Sequence, residues 1–138
     1  MILPSSRRAG GVLLLLAMSI AAAGCGTSGR APAARSAALA FERGLRDGDA
    51  NALCALISPE VRDELESSEK ASCVEVIGKQ DIPAAGALRS VDVYGRQARV
   101  QFKSDTLFLS SFPKGWRVVA AGCQEQPGKP YQCAIKAA

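Results

Sequence analysis

An α+β domain, with N-terminal helices packed on one face of a four-stranded antiparallel sheet, is what this chain of 138 residues predicts. Between Ser36 and Gly78 apolar residues recur at three- and four-residue intervals, each run preceded by a residue that caps helices. Between Leu88 and Gly122 the pattern changes to short runs rich in Val, Leu, Phe and Tyr. The connections there, Gly95-Arg96, Ser104-Asp105 and Pro113-Lys114-Gly115, are too short for crossovers, so successive strands must run antiparallel. Helices first and a meander second place the helices on one sheet face.

The elements follow in order. Ser36 can cap a helix that presents Ala38, Phe41 and Leu45 at i, i+3 and i+7, and Gly48 ends it. Asp49 can cap a second helix with Leu53, Leu56 and Ile57 on one face. Ser58-Pro59-Glu60 combines a capping serine, proline at the first helical position and an acid in the first turn. That helix is expected to run to about Glu66 with Val61 and Leu65 inward. Ser67 or Ser68 then opens a fourth segment carrying Cys73, Val76 and Ile77 and closed by Gly78. The strands are read as Leu88–Tyr94, Arg99–Lys103, Thr106–Phe112 and Trp116–Gly122. Val100 and Phe102 alternate with Arg99, Gln101 and Lys103, so that strand has one wet face. Gln124 to Tyr131, with Pro127, Gly128 and Pro130, reads as a loop.

Ahead of this domain stands a leader. Arg7 and Arg8 precede an apolar stretch, Val12 to Ala23, too short to span a bilayer, and small residues lead to Cys25. This describes a secretory signal peptide over residues 1–24. A cysteine directly after the small residues resembles the lipobox of bacterial lipoproteins, although Ala22 stands where that family prefers leucine. The resemblance implies cleavage before Cys25, thioether diacylation of its sulfur and, in some bacteria, N-acylation of the new amine. Residues 25–35 are then a tether of Gly, Ser, Ala, Pro and Arg without periodicity, and residues 36–138 the single domain.

The whole chain carries a formal +4, and the leader takes two of its cations. What remains is too nearly neutral to suggest nucleic acid, which the secretory address also argues against. The remainder is uneven: residues 36–80 hold five Lys/Arg and nine Asp/Glu, while residues 81–138 hold eight and four. With Cys25 acylated, Cys54, Cys73, Cys123 and Cys133 form an even set suited to an oxidising compartment. Three connectivities are open to them, and Cys54–Cys73 with Cys123–Cys133 is favoured because each pair lies within one half of the chain. Zinc is the weaker reading, since the chain has no His and no C-x-x-C.

The order of elements, with G-D-A at Gly48–Ala50, L-C-A-L at Leu53–Leu56, D-T-L-F-L at Asp105–Leu109 and G-W-R-V-V-A-A-G-C at Gly115–Cys123, resembles small secreted lipoproteins of actinobacteria. Those are similar to compact members of the NTF2-like, cystatin-related α+β superfamily. The resemblance covers residues 36–133 and implies a fold and a surface location. It carries over no catalytic residue, no cofactor and no metal.

Enzymes of that superfamily use polar groups inside the cone between helices and sheet. The absence of His removes the commonest general base. Asp92 and Tyr94 share a strand face, but Val91 and Val93 take the core side, which puts both on the wet face with Ser90. Ser110-Ser111 has no His or Lys partner in a recognisable motif, and Asp63, Glu64 and Glu66 suit a solvated helix face. A filled or very small cone is expected, with Leu107, Leu109, Trp116 and Val118 meeting Phe41, Leu53 and Leu65. The functional expectation is a non-catalytic surface module, membrane-bound through its lipid. Arg99, Lys103 and Arg117, with Gln101, would line its outer sheet face and meet an anionic envelope polymer or an envelope protein. The alternative is a small-molecule carrier or a cryptic enzyme using the cone.

Overall fold

The computed structural model describes residues 29–138. The expected signal peptide and the expected lipidation site, Cys25, lie outside them. The fold is α+β, with helices on a mostly antiparallel sheet.

Helix α1 runs Arg30–Asp47, starting ahead of the expected Ser36. Residues 30–35, read as tether, are its first turns. Ala and Arg favour helix, and Pro32 in the first turn has no intrahelical N–H to lose. Ala34 is fully buried, and Arg30 Nη1 donates to the Gly95 carbonyl at 3.1 Å. Gly48 ends the helix in the left-handed region at φ 65. Helix α2, Ala50–Leu56, opens on Asp49, whose carboxylate accepts from the Ala52 N–H at 3.0 Å. Helix α3, Pro59–Glu69, opens on Ser58, whose hydroxyl accepts from the Val61 N–H at 3.2 Å. Ser67 and Ser68 lie inside α3 and open nothing. The fourth helix, α4, is the single turn Cys73–Val76, started by a capping box of Ser72 and Glu75. A 3-10 turn, Ile77–Lys79, follows it.

Strands β1 (Leu88–Tyr94), β2 (Gln97–Phe102), β3 (Thr106–Phe112) and β4 (Gly115–Ala121) form the expected meander. The tail corrects the rest of the reading. β5 (Gln124–Gln126) and β6 (Lys129–Gln132) make a separate two-stranded ribbon, and β7 (Ile135–Lys136) pairs with β4. The main sheet therefore has five strands, in the order β1-β2-β3-β4-β7. Pro130 is tolerated because a two-stranded ribbon is all edge, and Tyr131 packs edge-on against Phe108 with ring centroids 5.1 Å apart. Two residues of β7 are too few to show alternation in a sequence.

Helix α1 lies across β1 to β4. Val100, Leu107, Leu109 and Val118 are wholly buried on the covered sheet face and meet Phe41, Leu53 and Ile57 from the helices. Each such side chain contributes about 1.5–3 kcal/mol by leaving water. The free edge of β4 is closed twice. Upstream of β7, Ile57 bridges to Val118 in parallel sense and the Ser58 N–H donates to the Val118 carbonyl at 2.9 Å. Both disulfides take the favoured pairing. Cys54–Cys73 joins α2 to α4 with Cα atoms 6.1 Å apart, and Cys123–Cys133 closes the base of the β5–β6 ribbon at 3.9 Å. The second bridge returns the chain so that β7 reaches β4.

Candidate functional site

The apolar stripe of α1 has one polar member. Ala38, Phe41 and Leu45 stand at i, i+3 and i+7, and position i+4 is Glu42. Helical geometry turns that carboxyl inward with its neighbours, and only 7% of the residue is exposed. It meets a cavity of about 750 Å³ bounded by α1, the start of α2, the 3-10 turn, the 80–86 loop and the end of β2. Leu39, Leu53, Ile77, Ile82 and Phe102 give it apolar walls, while Arg43 and Arg46 line it from exposed positions.

The far wall is held by a tight turn. Lys103 donates its N–H to the Ala87 carbonyl and Ser104 to the Ala85 carbonyl, both at 2.8 Å. Gly86 takes φ 74, and a Cβ there would stand 3.2 Å from the Cβ of Lys103, so the loop approaches the β2–β3 turn as closely as glycine allows. That turn holds a second buried acid, Asp105. Its carboxylate accepts N–H bonds from Thr106 at 2.7 Å, Gly122 at 3.2 Å and Cys123 at 2.8 Å.

The two acids differ in what surrounds them. Burial pushes the Asp105 pKa up, against the lowering effect of its three backbone donors. Glu42 is raised to about 7, first by burial and then by the charge of Asp105, with the Ala85 backbone N–H and Arg46 opposing. Its Oε1 has no hydrogen-bond partner. A buried oxygen without a donor costs about 1–3 kcal/mol, so burial and the nearby acid both favour the protonated form of Glu42.

The central cone is packed: Leu107, Leu109, Trp116 and Val118 are buried together with Phe41, Leu53 and Leu65. The cavity opens beside it, at the β2 end, where α4 is one turn and the 80–86 loop takes over from helix. The expectation of a filled or very small cavity therefore holds for the centre and fails at this end.

The expected surface cations are dispersed. Arg99 Nη2 donates to Asp92 Oδ2 at 3.1 Å, Arg117 Nη1 donates to the Trp116 carbonyl at 3.0 Å, and exposed Lys103 lies past the end of β2 against Gly86. Arg99 pairs across the sheet with Phe108, whereas Arg117 pairs with Ser110, so they occupy different cross-strand rows. Tyr94 is exposed, and Ser110 donates to Gln97 Oε1 at 2.9 Å. Asp92, Tyr94 and Ser110 do not line the cavity.

Glu42 and Asp105 are the residues that sequence reasoning missed. The signal for Glu42 was its place in the Ala38–Leu45 stripe; Asp105 offered none beyond a turn. Among the described residues no cluster of three His, Cys, Asp or Glu is placed to hold a metal, and no helix is long and apolar enough to cross a membrane. No family model, curated protein or solved structure matches the chain.

Proposed function

We propose that this protein is a lipid-anchored extracytoplasmic lipoprotein with a compact NTF2-like domain, and that the domain binds a small, mostly apolar molecule in the cavity beneath α1 without transforming it. One observation carries the binding reading: the buried carboxyl-bearing side chain of Glu42 lines a largely apolar cavity of about 750 Å³, within the size range of small-molecule sites, roughly 300–1,000 Å³. The two disulfides suit the oxidising side of a membrane, and the leader ending at Cys25 supplies the anchor. A diacyl anchor holds a protein stably where one chain binds marginally.

The carrier reading is preferred to a basic docking surface because that surface needs free, aligned cations, and Arg99 is already paired with Asp92. Capture of an anionic envelope polymer or an envelope protein by Lys103 and Arg117 is the second reading.

Mass spectrometry of protein extracted from membranes tests the anchor. A diacylglyceryl mass on Cys25, with release into the medium by Cys25→Ser, is expected; cleavage with no added lipid overturns it. The cavity is tested by following the methyl resonances of Leu39 and Ile82 during titration with small apolar molecules. Movement confined to cavity-lining methyls supports binding, and unmoved methyls alongside salt-sensitive retention on envelope material favour the surface instead.

A further inference from the structure

We propose that the ligand of this cavity is an organic monocation, an apolar body bearing one ammonium group that pairs with the Glu42 carboxylate at the cavity wall. The inference rests on the ligand-binding reading above and supplies its chemistry.

The argument is one of charge. Glu42 from α1 and Asp105 from the β2–β3 turn are both buried, and each raises the cost of charging the other. Asp105 is held by three backbone donors and does not line the cavity, whereas Glu42 does. No interior base answers them. Among the described residues, α2, the 3-10 turn, the 80–86 loop and the end of β2 bring one polar side chain, that of Gln80, to the cavity wall. Arg43 and Arg46, on the same helix as Glu42, are exposed, and Arg46 offsets only part of the burial effect.

An empty cavity relieves this imbalance by taking up a proton, which is the physical meaning of a carboxyl raised to about 7. An ammonium group replaces that proton and compensates the charge of Glu42, leaving Asp105 to its backbone donors. A neutral hydroxyl donates to the Glu42 carboxylate but leaves its charge unanswered, and an anion adds a third negative group. Affinity should therefore fall from cation to alcohol to carboxylate, and binding to the protonated protein must release the Glu42 proton to solvent.

Three matched probes test this on the full-length protein: 4-phenylbutylammonium, 4-phenylbutanol and 4-phenylbutyrate. The ammonium should bind most tightly and weaken about tenfold between pH 8 and pH 6, because protonated Glu42 competes with it. Calorimetry of the unmutated protein at pH 6 in two buffers of different ionisation enthalpy should show about 0.9 proton released per ammonium bound and none for the alcohol. Glu42→Gln should lower ammonium affinity to about that of the alcohol and abolish both its pH dependence and its proton release. Tighter binding of the alcohol or the carboxylate, or no proton release, overturns the cation assignment and leaves ligand binding standing. If none of the three moves the Leu39 or Ile82 methyls, the ligand-binding reading itself falls.

Discussion

Asp105 and Glu42 lie at similar depth, 4% and 7% exposed, yet the chain treats them in opposite ways. Around Asp105 three backbone N–H groups converge, two from Gly122 and Cys123 at the end of β4. The carboxylate thereby fastens the β2–β3 turn to the start of the disulfide-closed tail. Around Glu42 stand apolar walls, a second acid, one backbone N–H from Ala85 and the exposed Arg46, and its Oε1 is left without a donor. A buried carboxyl whose oxygens are satisfied is part of the architecture; one left partly unsatisfied stores a cost that a ligand can relieve. Substitutions should separate the two kinds.

The largest effect is expected at the satisfied acid. Asp105→Ala strips the acceptor from Thr106, Gly122 and Cys123, at about 1–3 kcal/mol per orphaned donor, for a total of at least about 4 kcal/mol. Urea unfolding measures it, and a loss below about 1 kcal/mol would mean that the carboxylate does not fasten the β4 end. Next comes the helix staple. Removing Cys54–Cys73, which closes the longer loop, 19 residues against 10, should cost about 3 kcal/mol in the chain-entropy account. Removing Cys123–Cys133 should cost less by the same assay, and the reverse order would make the tail the more important restraint.

The partly unsatisfied acid should behave in the opposite sense. Glu42 holds its proton more tightly folded than unfolded, its pKa being raised from 4.5 to about 7. Its contribution is complete below pH 4.5 and is lost as pH rises through 7. Glu42→Gln should therefore leave stability unchanged at pH 4 and raise it at pH 8 by about 2 kcal/mol, a figure reduced for water reaching the cavity. Thermal melts at both values decide it, and a variant destabilised at pH 8 would place Glu42 with Asp105 among the structural acids. The smallest effect belongs to the sheet exterior. Arg99→Glu with Arg117→Glu should shift stability by less than about 1 kcal/mol and leave cavity binding unchanged. A salt-dependent loss of envelope association in co-sedimentation would instead give the outer face a role of its own.

The elements that were legible are those whose signals are local. Asp49 and Ser58 cap the helices they precede, Gly48 ends α1, and the four meander strands follow their short turns. The misreadings have local causes too. Ser67 and Ser68 look like caps, yet the stronger pattern was Ser72 with Glu75, where both halves of a capping box are present. Residues 30–35 read as a tether by composition, but a helix of Ala and Arg needs only a surface to lie on, and Ala34 finds one.

By itself, then, the sequence determined the helix-then-meander order and favoured the pairing of cysteines within each half, because caps, turns and spacing act over a few residues. Only the tertiary structure decided that β7 would add a fifth strand, that Asp105 would reach Gly122 and Cys123 across the chain, and that Glu42 would face a cavity instead of solvent. The physical reason is that each of these depends on a partner far away in sequence. A glutamate inside an apolar stripe shows that something is unusual, and the surrounding packing decides whether its oxygens meet a donor or an empty space.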